Sequence, residues 1–239
     1  MNCISRICVS AVLVLGMWAN CTMAVSFYEN FDSYTAGSNM NGNGNWKPWD
    51  SNPAWDATVS NAQSISPGNS VLIDGADDLV HEFTVTGGQH IFTASQYIPS
   101  EGSGSSYFIL LNTYNDGGPY DWSVQINFDQ DTGQLISDKG NAQSLPIIYD
   151  AWVALQFVID LDANTVSEFY NGALLSTHIW DDDLNNTLGA VDLFSDGATS
   201  VYYDNIGLST VPGPASWALL GMGLGVVFVR RRRKKSATE

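Results

Sequence analysis

Between residues 26 and 210 the chain never sustains a helical period, and this excludes most folds. Short runs rich in Val, Ile, Tyr, Phe and Thr recur instead: Ser70–Asp74, Leu79–Val85, His90–Tyr97, Ser106–Leu111 and Trp122–Phe128. In the last run Trp122, Val124, Ile126 and Phe128 alternate with Ser123, Gln125 and Asn127, the period of two expected of a half-buried antiparallel strand. Turn-forming clusters separate the runs, among them Asn41-Gly-Asn-Gly44, Gly87-Gly88, Gly102-Ser-Gly104 and Asn115-Asp-Gly-Gly-Pro119. The clearest hairpin leaves along Val153–Ile159, turns at Asp160–Asn164 and returns along Val166–Tyr170. Asn171-Gly172 then makes a second tight turn into Ala173–Trp180. A dozen or so short strands in one domain predict an all-β, two-sheet antiparallel jelly-roll sandwich over residues 25–210.

Charge narrows the functions open to that domain. Between Val25 and Thr210 the cations are Lys47 and Lys139, set against 24 carboxylates, a formal balance of −22. A body so acidic cannot hold phosphate backbones by counterion release, which excludes nucleic acid as a partner.

The two ends read as processing segments. Arg6, the apolar run Ile7–Leu15 and Thr22-Met23-Ala24 form a secretory signal over residues 1–24, to be cleaved by signal peptidase before Val25. Cys3, Cys8 and Cys21 all fall inside it, so the mature chain would lack thiol chemistry. At the other end a breaker-rich motif, Val211-Pro212-Gly213-Pro214-Ala215-Ser216, precedes an apolar run at 217–229 and the basic run Arg230–Lys235. That run predicts a short membrane helix whose cationic end stays cytoplasmic.

The tail, residues 211–239, resembles the PEP-CTERM sorting signal. The match lies in Val211, Pro212, Pro214, Trp217-Ala218-Leu219-Leu220-Gly221 and Arg230–Arg233; Gly213 stands where the family has Glu, and Ala215 where it usually has Ser. The resemblance implies an exosortase-type membrane transpeptidase as partner and transient association with the inner membrane. It implies the cell surface or extracellular matrix of a Gram-negative-type bacterium as the destination, with exopolysaccharide at hand.

The body resembles the concanavalin A-like lectin/glucanase superfamily in its laminin-G-like form. The resemblance rests on Phe27–Asp32 at the start, Val201–Leu208 at the end, Asp150-Ala-Trp152 leading into Val158–Asn164, and Tyr170-Asn171-Gly172. It implies that the two end strands lie side by side. The glucanase branch carries Glu-x-Asp-x-x-Glu or Glu-x-Asp-x-Glu on one strand, since retaining glycosidases need two carboxyl groups close together. Neither pattern occurs around Glu29, Glu82, Glu101 or Glu168, so the chain is expected to be non-catalytic.

Three groups of residues remain as candidate sites. Tyr114, Asn115, Asp116 and Tyr120 lie on a Gly-rich segment ending at Trp122 and combine rings with hydrogen-bonding groups, the pattern of a weak glycan site; Trp46, Trp49 and Trp55 form a second aromatic group. Asp160, Asp162 and Asn164 match the first half of a calcium loop, but Thr165 and Asn171 replace its Gly and Glu, and a polar hairpin turn is the plainer reading. Calcium is the one cofactor the sequence admits. Asp181–Asp183 reads as a solvated acidic loop, and His81, His90 and His178 as sheet or surface residues. The expected function is an exported surface or matrix protein that contacts exopolysaccharide. The alternatives are a structural or adhesive component without a defined ligand and a divergent glycan hydrolase.

Overall fold

The computed structural model describes residues 24–65, 68–140, 143–183 and 185–212. The signal segment up to residue 23 and the sorting tail beyond Pro212 lie outside the described residues. Within them, the alternating runs become fifteen strands: β1 Ala24–Glu29, β2 Trp46–Pro48, β3 Thr58–Ser60, β4 Ser70–Ile73, β5 Asp78–Thr86, β6 Gln89–Tyr97, β7 Ser105–Thr113, β8 Asp121–Asp129, β9 Gln134–Ser137, β10 Leu145–Pro146, β11 Trp152–Asp160, β12 Thr165–Tyr170, β13 Ala173–Ile179, β14 Thr187–Asp196 and β15 Val201–Val211. All pairings between these strands are antiparallel. One sheet runs β13-β12-β11-β6-β15-β4-β3, with β1 also on β15; the other runs β10-β9-β8-β7-β14-β5-β2. The fold is therefore the expected two-sheet sandwich. The end strands lie side by side, with Phe27 opposite Leu208 and Glu29 opposite Ile206.

The inward-facing residues of both sheets make the core. Phe108 of one sheet stacks on Phe157 of the other, with centroids 5.0 Å apart and planes 9° from parallel. Phe92 meets both edge-on. The predicted hairpin forms in register, Leu155 opposite Tyr170 and Asp160 opposite Thr165. Asn171 and Gly172 both take positive φ in the next turn, as a two-residue hairpin with the right twist requires.

One strand departs from its sequence period. Leu110 pairs with Val124, but Leu111 pairs with Trp122, so Ser123 is an extra residue in β8. A compensating extra residue, Asn112, follows in β7. The two bulged side chains bond each other, Asn112 Nδ2 donating to Ser123 Oγ at 3.2 Å. A bulge reverses the facing of whatever follows it. Val124, Ile126 and Phe128 point into the core, whereas Trp122, expected on the same face, points out of the sandwich. Gly189 permits this local crowding, because a Cβ there would lie 2.7 Å from the Asn112 carbonyl oxygen.

Candidate functional site: an aromatic patch on the outer face of the seven-stranded sheet

A second apolar cluster lies on the outer face of the sheet that contains β7 and β14. Its floor is Val80, Ile109, Leu111 and Ala190, all at most 4% exposed. No second sheet covers these residues. Rings do: Trp49, Tyr107, Tyr114, Tyr120, Trp122 and Phe194. Trp49 lies 4.8 Å from Tyr114 and 4.7 Å from Tyr120, and is nearly parallel to Trp122 at 6.2 Å. Tyr107 and Phe194 stack at 5.5 Å beside them. Trp49, Tyr120 and Trp122 keep part of their surface open to solvent.

A polar network fixes the rings. A single-turn 3₁₀ segment, Trp49–Ser51, carries Trp49 over the sheet, with Asp50 and Ser51 both at positive φ. Left-handed backbone at a non-glycine residue costs about 1 kcal/mol and requires compensation. Asp50 supplies it: its carboxylate accepts from Tyr120 Oη at 2.6 Å and from the Gly117 amide at 2.8 Å, while its own amide donates to Tyr114 Oη at 2.9 Å. Tyr114 Oη in turn donates to Asp116 at 3.0 Å. Asp116 also accepts from Lys47 Nζ and Ser51 Oγ, both at 2.8 Å. Lys47 completes the network with an ion pair to Glu82 and lies 5.0 Å from the centre of the Tyr114 ring.

The electrostatics follow from these contacts. The Lys47 bond holds the Asp116 carboxyl below its ordinary pKa. Burial opposes the Lys47 charge, but its bonds to Asp116 and Glu82 outweigh it, and its pKa is raised. Burial pushes the Tyr114 phenol up, and the bond to Asp50 does the same for Tyr120.

The four residues expected to line a glycan site therefore divide. Tyr114 is only 6% exposed and braces the loop from beneath. Asp116 is committed to the Lys47 network. Asn115 is exposed at the loop tip, and Tyr120 offers a ring whose hydroxyl is already anchored. Trp49, which sequence reasoning placed in a separate aromatic group, and Trp122, which it placed at the end of the glycan segment, supply the remaining accessible ring surface. Trp46 belongs instead to the inner core, at 1% exposure.

The same face carries two carboxyl groups that have, among the described residues, no cation beside them. Asp192 lies opposite Val80 and Ile109 on its two flanks, and Asp78 lies one diagonal step away on β5. Asp192 is 2% exposed, and Oδ1 of each residue is buried without a hydrogen-bond partner. Burial pushes Asp78 up to about 6 and Asp192 well above the carboxylate range, and the proximity of the two raises Asp192 further.

The three residues of the calcium candidate are each engaged in hydrogen bonds with the chain. Asp160 accepts from the Ala163 amide at 2.8 Å and from Gln89 Nε2 at 2.6 Å; Asp162 accepts from the Gly88 amide at 2.8 Å. Asn164 faces away from both, clasping the Asp181 backbone through Nδ2 and Oδ1 at 2.8 and 3.0 Å. These side chains close turns instead of converging. Among the described residues no group of three or more His, Cys, Asp or Glu is placed to hold a metal ion. Of the sorting motif, Val211 ends β15 opposite Gln89, and Pro212 follows it; Gly213, Pro214, Ala215 and Ser216 lie outside the described residues.

One pairing was invisible in the sequence. Glu168, fully buried on the inner face of β12, accepts from or donates to His178 Nε2 at 2.9 Å, according to the imidazole's protonation. Burial works against the His178 charge, but the Glu168 bond prevails and its pKa is raised. His178, Trp122 and Asp181–Asp183 line a cavity of about 350 Å³ at one end of the sandwich.

No family model matches the chain, and no curated protein matches it in sequence. Solved structures do resemble it. The globular domain of calreticulin from T. cruzi aligns with a TM-score of 0.52 and 11% identity, over 90% of this chain and 100% of that one. A Trypanosoma rangeli sialidase aligns at 0.50 and 14%, over 81% of this chain; the chain spans 31% of that sialidase's length. Another sialidase aligns at 0.49 and 9%, over 73% of this chain and 18% of that one. The carbohydrate binding module CBM66 from Bacillus subtilis aligns at 0.46 and 11%, over 70% of this chain and 96% of that one. At these identities the likeness concerns the β-sandwich fold alone.

Proposed function

We propose that this is a non-catalytic, exported protein of the cell surface or extracellular matrix that binds exopolysaccharide on the outer face of its seven-stranded sheet. The observation that carries this reading is the partly exposed ring surface of Trp49, Tyr120 and Trp122. It is held rigid by the Asp50 and Lys47 networks, on a face where no second sheet competes for it. Flat rings stack on the apolar faces of sugars, and anchored rings lose little entropy when they do so. A platform of weak, repeated contacts suits a long polymer better than a small ligand enclosed in a cleft.

The address rests on the signal at residues 1–24 and the PEP-CTERM-type tail at 211–239. Mass spectrometry of protein recovered from the host surface should find a start at Val25 and loss of everything beyond the 211–216 motif. A chain still ending at Glu239 would make it an anchored envelope domain.

Binding is tested by affinity electrophoresis in gels containing the host's own polysaccharide. Trp49→Ala and Trp122→Ala should each weaken retention at least tenfold while the protein stays folded. Unchanged retention would assign a structural or adhesive role with no ligand on this face. Release of reducing sugar ends would assign a hydrolase.

A further inference from the structure

The sandwich has a second outer face, on the eight-stranded sheet. Burial alternates along β6 and β11, and Phe92, Val153 and Phe157 enter the core, so Tyr97 and Trp152 stand on the outer side. Tyr203 enters the core from β15, which puts its neighbour Tyr202 outside. The register sets the three residues in one row across the sheet, with Trp152 opposite Tyr97 on one flank and Tyr202 opposite it on the other. Their rings follow one another at 5.6 and 6.2 Å, tilted by 53° and 73°. Trp152 and Tyr97 are partly exposed, and Tyr202, 8% exposed, closes the row.

Two further observations mark this row. The first is chemical. Tyr114 and Tyr120 spend their hydroxyls on the chain, whereas Tyr97 Oη, Tyr202 Oη and Trp152 Nε1 bond no described residue and are not buried. The second is electrostatic. The body carries 24 carboxylates, yet the outward positions of β6, β11, β12 and β13 hold no charged residue short of Asp160 at the strand end. Thr93, Ser95, Gln156 and Ser167 stand there instead, with Val158 and Leu174 exposed among them. Asp204, the carboxylate of β15, is 0% exposed and accepts from the Ile65 and Asn205 amides at 2.9 and 2.7 Å.

We propose that this face is a second binding site, for an uncharged polysaccharide chain that stacks on Trp152 and Tyr97, and that one molecule thereby joins two chains. This role rests on the glycan reading above and adds cross-linking to it. The two sheets pack by their inner faces, so their outer faces point in opposite directions, and a platform on each makes the molecule bivalent.

A sugar chain meets both requirements of the row. Its apolar ring faces cover the aromatic carbon, and its hydroxyls satisfy the free phenols, the indole N–H and the Ser, Thr and Gln side chains around them. A neutral chain brings no charge against a body at −22. A second copy of this chain would have to bury the same polar groups against its own and bring two such bodies together.

The test places the full chain in gels containing hydroxyethylcellulose, a neutral polymer, or polygalacturonate, an acidic one, and follows cross-linking by light scattering of the polymer solutions. Hydroxyethylcellulose should retain the protein about tenfold more strongly than polygalacturonate. Scattering should peak at an intermediate ratio of protein to polymer and fall at excess protein, as bivalence requires. Trp152→Ala should abolish the scattering peak and weaken retention about tenfold, leaving the Trp49 face to bind alone. Trp49→Ala should do the same from the other side, and the double variant should not be retained. Trp152→Tyr, which keeps a ring, should restore both readouts. Tyr97→Ala provides the same test if Trp152→Ala does not fold.

Retention and scattering that Trp152→Ala and Tyr97→Ala both leave unchanged would overturn the second face while the Trp49 face stood. Equal retention by the two polymers would overturn the uncharged class. Association of the protein without polymer, reversed by Trp152→Ala, would assign the face to a second copy. No retention of the unsubstituted protein by either polymer or by the host polysaccharide would overturn the glycan reading itself.

Discussion

The two faces of the seven-stranded sheet solve the same problem differently. On the inner face Phe108, Leu110, Val124, Ile126, Phe128, Val191 and Leu193 are all 0% exposed, buried against the opposite sheet. On the outer face Val80, Leu111 and Ala190 are buried as completely, yet only loops and rings cover them. The inner face is aliphatic and aromatic carbon packed to the density of a protein interior. The outer face mixes rings with Lys47, Asp50, Asp78, Glu82, Asp116 and Asp192. The two buried carboxyl groups, Asp78 and Asp192, meet each other there instead of a cation among the described residues. The outer face thus holds polar and charged groups that the inner face of the same sheet lacks, and that distinction can be broken from either side.

Phe108→Ala attacks the inner face and should have the largest effect. It removes one half of the Phe108–Phe157 stack and leaves a cavity that the two rigid sheets cannot close, at a cost of about 3–5 kcal/mol. Thermal denaturation should show a drop of roughly 10 °C or more. Trp49→Ala attacks the outer face, where the ring is already partly solvated and the cover is a loop that can settle. Its cost should be about 1–2 kcal/mol, with the loss falling on polysaccharide retention instead. A Trp49→Ala protein as unstable as Phe108→Ala would mean that the outer patch is simply a second core.

The inner face was legible in the sequence, and the outer face largely was not. Period-two alternation reports which residues share a side, and strands such as Trp122–Phe128 and His90–Tyr97 fell within a residue or so of their observed limits. Alternation cannot show a bulge. Ser123 is an unremarkable polar residue in a regular run, yet its insertion carries Trp122 from the core side to the outer face. Nor does local sequence reveal partners brought together by topology. Asp78 with Asp192, Glu168 with His178 and Lys47 with Asp116 each join residues on different strands or loops. The signal that could have found the site was the two charges themselves: with only two lysines in the body, each was bound to have a particular task. Tyr114 shows a second limit of local sequence. Its composition suits a sugar platform, but an aromatic residue at the start of a loop serves equally well as the prop beneath it.

The Asp78–Asp192 pair sharpens the comparison through pH. Asp77, at the β4–β5 turn, is also pushed up by burial, to about 7, and Asp78 to about 6. An unfolded aspartate titrates near 3.9, so the folded protein holds these protons more tightly than the unfolded chain. Their contribution to stability is complete below about pH 4 and is lost as pH rises through 6 to 7. The melting temperature should therefore fall by roughly 5 °C between pH 5 and pH 8. Asp192→Asn should flatten the fall, because the amide cannot ionise and can still bond Asp78. Asp116, Asp129, Asp150 and Asp160 are shifted the other way, but they are largely solvated and their effect is confined to more acid solutions. Stability that rises steadily toward pH 8 would mean that the pair is not held as described.

Divalent cations should produce the smallest effect. Asp160, Asp162 and Asn164 are each engaged in closing turns, so a calcium ion would have to displace the bonds from Ala163, Gln89 and Gly88 before it gained any of its own. Its benefit should then be that of general charge screening on an acidic body, which does not distinguish calcium from magnesium. Millimolar calcium and magnesium at matched ionic strength should raise the melting temperature equally, within about 1 °C. A larger calcium shift that Asp162→Asn removes would mean that the hairpin rearranges around the ion. A larger shift removed instead by Asp192→Asn would place the ion on the outer face, beside the Asp78–Asp192 pair.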